Sequence, residues 1–150
     1  MKIDVEITGV EELRRILSVA GPQAPRALAG PLYRFARQYI LLPAKQRFVP
    51  VVTSAIKNSL QIEGPTINGT VVTVTVGAGG QSAPYALQVH ENPRAGKTGG
   101  VSPSGKKYRY WSRVGEWKYL EKPAKEAAAR PGPLIESVRK EVEKLFGLRR

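Results

Sequence analysis

The chain holds one histidine, His90, and it stands beside Glu91. A His–Glu pair can orient a general base or contribute to a metal site. A zinc-protease helix needs a second His four residues away, and this chain has none. In the alternating pattern around the pair, the two side chains are expected on opposite faces. A hydrogen-bonded or partner-facing His90 is therefore the expected role. Ser and Thr hydroxyls cannot form a triad without a committed His and acid. Asp4 is the only Asp, so the clustered carboxylates of a two-metal nuclease are not visible. Cysteine is absent, which excludes disulfides and thiolate metal sites. Gly77-Ala78-Gly79-Gly80 lacks the Lys-Ser/Thr of a phosphate loop, with no clear helix after it to aim amides at an anion. It reads as a connection between two strands. The expectation is a protein that is not an enzyme, with no catalytic residue, metal or cofactor.

The residues with more to offer are cations. Net charge is +12, from 24 Lys and Arg against 12 Asp and Glu. Such a balance attracts polyanions over long range. From Asn92 to Gly115 there is no acid, yet Arg94, Lys97, Lys106, Lys107, Arg109 and Arg113 all fall there. Tyr108, Tyr110 and Trp111 interleave with them. This pattern suits salt-sensitive neutralisation of phosphates and stacking on single-stranded bases. These six cations are the candidate nucleic-acid or channel-facing residues. The alternatives are a solvated basic surface with aromatics in the core, or an arm that orders only against a neighbouring subunit.

The elements that must position these residues follow from periodicity. A chain of 150 residues reads as one domain that can bury a substantial core. Lys2–Ile7 alternates as a short strand. Thr8 and Glu11 have capping-box spacing, opening a helix to about Ala20 that Gly21-Pro22 ends. Leu28, Leu32, Phe35, Tyr39 and Leu42 mark a long second helix, in which Pro31 and Pro43 predict kinks or breaks. Ser54–Leu60 is a short helix or a strand entry. Gln61–Glu63 continues as a strand, and Asn68-Gly69 signals a hairpin into the strand Val71–Val76.

Tyr85, Leu87 and Val89 alternate with Ala86, Gln88 and His90, which predicts a further strand over 83–92. Residues 92–107, rich in Gly and Pro, read as a mobile basic arm or loop. Tyr108–Trp111 is a candidate fourth strand. Glu116–Arg130 reads as a helix, Pro131-Gly132-Pro133 interrupts it, and Leu134, Val138, Val142 and Leu145 form a last stripe capped at Gly147. The expected fold is α+β: a long helix from the N-terminal half packed on an antiparallel sheet of three to four strands, followed by C-terminal helices. The N-terminus has acids where a signal peptide needs an apolar core. No apolar run approaches the ~20 residues of a membrane span. A soluble protein made in the cytoplasm, without membrane contact, is expected.

Three segments resemble the tail-completion or head–tail joining proteins of long-tailed phages, a family of small neck proteins that includes related minor capsid proteins. The first runs Pro50, Val51, Val52, Thr53, Ser54, Ala55, Ile56, Lys57, Asn58, Ser59, Leu60. Pro50, Val51, Thr53, Lys57 and Ser59 fit the family's recurring pattern. Val52 stands where Asp is usual and Ser54 where Gly is usual. The second is Tyr85, Ala86, Val89, His90, Glu91 and Asn92, which looks like the minor-capsid branch. The third is Tyr119, Leu120, Pro123 and Ala124 at the start of a C-terminal helix. Order and spacing agree over roughly residues 25–130. The Pro131-Gly132-Pro133 break departs from the family, whose last helix usually runs on.

The resemblance implies an α+β fold and a structural role as a ring of identical subunits where the tail meets the head. Connector and tail-tube proteins would be its neighbours, and the host cytoplasm and then the virion its locations. Such rings surround the DNA exit path, which would give the basic arm a location and non-specific contact with DNA. Nothing catalytic carries over. Pro50, Thr53, Ser59, Tyr85, Ala86, Val89, His90, Glu91, Leu120 and Pro123 carry over as structural and interface positions. A free-standing basic nucleic-acid-binding protein, using residues 92–113, is the alternative from another class.

Overall fold

The computed structural model describes residues 1–2, 11–50, 54–95, 100–101, 105, 107–108 and 115–147. The expected first strand beyond Lys2, the Thr8 cap, Thr53, Tyr110, Trp111 and four of the six arm cations (Lys97, Lys106, Arg109 and Arg113) lie outside them.

Helix α1 (Glu11–Ala20) turns its apolar stripe, Leu13, Ile16, Leu17 and Ala20, inward. Gly21–Gln23 tightens into a 3-10 turn and leads directly into α2 (Ala24–Ala36). The helical path does not stop at either proline. Pro31 lies inside α2, and winding continues through π-helical turns at Arg37–Leu41 and Ala44–Phe48. Pro43 sits between those turns. It has no N–H to donate, and its ring crowds the carbonyl four residues back. The bonding pattern shifts to five residues on both sides of it: Leu42 N–H to the Arg37 carbonyl, and Val49 N–H to the Ala44 carbonyl at 2.8 Å. Wider turns are how this helix passes a proline that was expected to kink or break it.

Helix α3 (Ala55–Ser59) leads into a hairpin of β1 (Gln61–Asn68) and β2 (Val71–Gly77). Ile62 pairs with Val76 and Ile67 with Val72, with a register break between Glu63 and Thr66. Gly64 occupies that break with φ +101°, and a Cβ there would lie 2.8 Å from the Thr73 carbonyl oxygen. Lys2 bridges to Gly77 on the far side of β2.

The expected third strand is a helix. Residues of the 83–92 stretch form a turn and then α4 (Ala86–Glu91). Alternation over so few residues does not separate a strand from one helical turn and a half. Ala86, Val89 and His90, at spacings of three and four, are the buried set, so the helical period prevails. Among the described residues, β1 and β2 therefore form a two-stranded sheet, and a second two-stranded ribbon, β3 (Gly100–Val101) with β4 (Lys107–Tyr108), is separate from it. Helix α5 (Glu121–Ala128) starts five residues later than expected. Helix α6 (Gly132–Leu145) follows, with Gly147 beyond its end at φ +66°.

The fold is α+β. One core gathers Ala36, Leu41, Ala44, Phe48, Val49, Ile56, Leu60, Val76, Ala86, Val89, Tyr119 and Leu120. The other packs α1, α2 and α6 through Ala20, Ala27, Phe35, Leu134, Val138 and Val142. Ile40, on the first π turn, touches both. Arg139 on α6 reaches Glu12 on α1 and Glu136 on its own helix. No helix among the described residues is long and apolar enough to cross a membrane.

Candidate functional site

The segments that carry the resemblance meet in the first core. Pro50 is buried at the end of the long helix. Four residues on, Ser54 adopts φ +61°, a left-handed conformation that costs a non-glycine residue free energy, and α3 begins. Ser59 is buried. Its hydroxyl donates to the Ile56 carbonyl at 2.8 Å and accepts the Gly79 N–H at 3.0 Å. That pair of bonds ties α3 to the glycine-rich link after β2. Met1 fastens the same link, its amino group donating to the Ala78 carbonyl at 2.8 Å. The link therefore spends its polar groups on the fold, and it leads to α4 rather than to a strand.

Tyr85 precedes α4, and Ala86 and Val89 turn into the core. The third segment lies against them. Tyr119 is fully buried and donates its hydroxyl hydrogen to the Ala86 carbonyl at 2.9 Å. Lys118 N–H bonds the His90 carbonyl at 2.8 Å, and Glu116 N–H bonds the Phe48 carbonyl at 2.8 Å. Leu120, Pro123 and Ala124 are buried at the start of α5. Gly115 admits this crossing: a Cβ on it would stand 2.5 Å from the Pro50 nitrogen and the Val49 carbonyl. Pro50, Ser59, Ala86, Val89, His90, Leu120 and Pro123 are thus interior positions of this chain, not surface presented to a partner. Tyr85 and Glu91 keep part of their surface exposed.

His90 and Glu91 do not point apart as a strand would require. His90 is 2% exposed, and its Nδ1 is 2.7 Å from Glu91 Oε1. Its ring stands edge-on to Tyr119, with centroids 5.0 Å apart. Nε2 is buried and has no hydrogen-bond partner among the described residues. No hydroxyl, thiol or acid is hydrogen-bonded to that nitrogen, and no group of three His, Cys, Asp or Glu among the described residues could hold a metal ion.

Outside this buried ring runs a chain of ions. Glu91 meets Lys118 at 2.7 Å, Lys118 meets Glu121 at 3.0 Å, and Glu121 meets Lys125 at 2.6 Å. The Lys125 and Lys118 ammonium groups pull the Glu121 carboxyl down to about 2. Lys118, then His90, lower Glu91, and Glu91 with Glu121 raise Lys118. Lys118 holds this position with φ +58°, which ends any helix before Tyr119 and explains the late start of α5. Trp117 lies under two cations, with Lys118 Nζ 5.8 Å and Lys122 Nζ 5.9 Å from the ring centroid. Lys122 also pairs with Glu116.

Of the arm cations, Arg94 is exposed, and its N–H bonds the Asn92 side-chain oxygen at 3.0 Å. Lys107 lies on β4, paired with Val101. The Glu121 and Lys125 pairing was legible as spacing along a helix. Gly115, Lys118 and the Tyr119 hydroxyl gave no such signal, because each acts on a segment far away in sequence. No protein-family model, curated protein or solved structure matches this chain.

Proposed function

We propose that this chain is a structural, non-enzymatic virion protein of the phage neck, a tail-completion or head–tail joining subunit that assembles as a ring around the DNA exit path. The observation that carries the reading is the backbone of Ser54. In the motif that Pro50–Leu60 resembles, this position is usually Gly, and Ser54 adopts the left-handed φ of +61° that a Gly would accept freely. Ser54 thus keeps the backbone conformation that a Gly would take at this position. Packing adds support: the three resembling segments, dispersed over seventy-odd residues, share one core. A sheet of three to four strands belongs to the same reading, and the Lys2–Gly77 bridge supports a further strand beside β2.

The ring would dock between connector and tail-tube proteins, reached from the host cytoplasm during assembly. The net charge of +12 suits a position beside DNA. The test is electron microscopy of lysates in which this gene is disrupted. DNA-filled heads lying beside separate tails, rejoined when the protein is supplied, is the expected result. Joined, infectious particles in its absence would remove the neck assignment. The six cations of residues 92–113, with no acid among them, favour a second reading as a nucleic-acid-binding protein acting alone.

A further inference from the structure

Acids and cations are segregated along this chain. From Leu13 to Ile62 there is no Asp or Glu, the longest acid-free run of the sequence, and it holds all of α2 and both π turns. Among the described residues the only cation of that run in an ion pair is Arg14, which meets Glu11; every other pair is made by a cation outside it. Arg26, Arg34 and Arg37, on α2 and at its C-cap, are exposed. At 3.6 residues per turn they fall with Gly30 within about a quarter of the helix circumference. That arc is opposite Leu28, Leu32 and Phe35, which pack into the second core. The atoms nearest to a Cβ on Gly30 would all belong to the Arg34 guanidinium, the first at 3.3 Å. Arg34 thus lies back over bare backbone, and its Nη2 donates to Ser137 Oγ of α6 at 3.4 Å. Glu136, beside Ser137, is engaged by Arg139 and Lys140 instead.

The chemistry of this face selects its partner. A protein interface needs an apolar centre with a polar rim. Here the exposed side chains of the arc are guanidinium groups, and the aromatic at its edge, Tyr33, is half-buried. Single strands are held by stacking on exposed aromatics, which the arc also lacks. What it offers is fixed positive charge along a straight element. Arg26 to Arg37 spans about 17 Å at 1.5 Å per residue, a length over which a DNA duplex presents about ten negative charges. Arginine is also the side chain best matched to phosphate oxygens.

We propose that the exposed face of α2 formed by Arg26, Arg34 and Arg37 binds the phosphate backbone of duplex DNA, separately from the 92–113 segment. In taking duplex DNA as the partner, the proposal rests on the neck reading above, which puts DNA beside the chain. Fluorescence anisotropy of a labelled mixed-sequence duplex with the full chain, from about 50 to about 200 mM salt, tests it. Arg26→Gln/Arg34→Gln/Arg37→Gln should keep the circular dichroism and thermal midpoint of wild type, since Arg and Gln have nearly equal helix propensity. It should weaken binding at least about tenfold at low salt and lower the slope of log affinity against log salt by about 2–3, at about 0.9 per phosphate contact. Lys2→Gln/Lys125→Gln/Arg130→Gln removes the same charge away from α2 and should have a much smaller effect. Equal losses in the two triple variants would reduce the effect to net charge and overturn the α2 face, as would an α2 variant with the affinity and slope of wild type. Wild-type protein that does not bind the duplex at about 50 mM salt overturns the proposal outright. Poly-glutamate bound as tightly as the duplex overturns DNA as the partner and gives the face to an acidic protein. Failure of the neck reading shows instead in the lysates, where particles would join without this chain.

Discussion

The Tyr119 hydroxyl donates to the Ala86 carbonyl at 2.9 Å, bridging 33 residues of sequence inside the core. The basic arm lies between these two residues, so this bond and its neighbours close the loop that contains the arm. Tyr119→Phe keeps the ring and removes the bond. Its expected cost is about 1 kcal/mol in urea unfolding, against about 3–5 kcal/mol for Tyr119→Ala, which also leaves a cavity. Burial pushes the phenol above its ordinary value of 10. The unfolded chain then loses this proton first, so the contribution is intact below pH 10 and declines as pH rises beyond it. Stability of Tyr119→Phe should fall less steeply over that alkaline range than wild type. Identical slopes would show that Tyr119 does not titrate on unfolding.

Ser54 stands in left-handed backbone with φ +61°. Ser54→Gly should relieve about 1–2 kcal/mol of backbone cost while adding about 0.5–1 kcal/mol of unfolded-state entropy, leaving a net gain between zero and about 1.5 kcal/mol. Ser54→Val should destabilise, because a β-branched residue tolerates this region poorly. The thermal midpoints should therefore rank Gly, Ser, Val. A Val variant as stable as wild type would mean that the turn does not require this conformation.

Two glycines separate backbone strain from collision. Gly115 and Gly147 both have positive φ, but a Cβ on Gly115 meets the Val49–Pro50 backbone at 2.5 Å, whereas at Gly147 nothing lies within 4 Å. Gly147→Ala should cost about 1 kcal/mol, as at other helix ends. Gly115→Ala should cost at least about 2 kcal/mol, because main chain must move. Equal losses, read from denaturant midpoints, would place no close crossing at Gly115.

The ion chain Glu91–Lys118–Glu121–Lys125 sets an acid limb. Glu121 is lowered from 4.5 to about 2, and Glu91 is lowered too. Depressed carboxylates stabilise above their unfolded value and lose that contribution as pH falls through the folded one. Stability should drop between pH 4.5 and about 2, and Glu121→Gln should flatten that drop. Because these groups lie near the surface, 1 M salt should shrink the difference. A profile unchanged by Glu121→Gln would detach the chain of ions from folding.

The second functional reading is tested in the arm. Replacing Lys106, Lys107, Arg109 and Arg113 with Glu should weaken DNA binding across sequences and reduce the dependence of affinity on salt. Filter binding or anisotropy over a salt series provides both. Unaltered affinity and slope would remove the arm as the contact.

The amino-acid sequence alone determined what depends on neighbours along the chain. The stripe of α1, Leu28, Leu32 and Phe35 of α2, Leu134, Val138 and Val142 of α6, the Asn68-Gly69 hairpin and the Gly147 cap are local patterns that appear where periodicity and turn chemistry place them, whereas Tyr39, Leu42 and Leu145, expected on the same stripes, are exposed. Absence of cysteine and excess of cations are equally direct. Tertiary structure decided the rest. The 83–92 stretch is too short for its alternation to outweigh the core, which takes Ala86, Val89 and His90 at helical spacing. Pro43 did not end its helix, because wider turns carry the backbone past the missing donor. Gly115 is obligatory only because the chain from Val49 to Pro50 passes 2.5 Å from where its Cβ would be. Local propensity is worth tenths of a kcal/mol per residue, while burial of one large side chain is worth about 1.5–3 kcal/mol. Where the two disagreed, contacts between distant segments won.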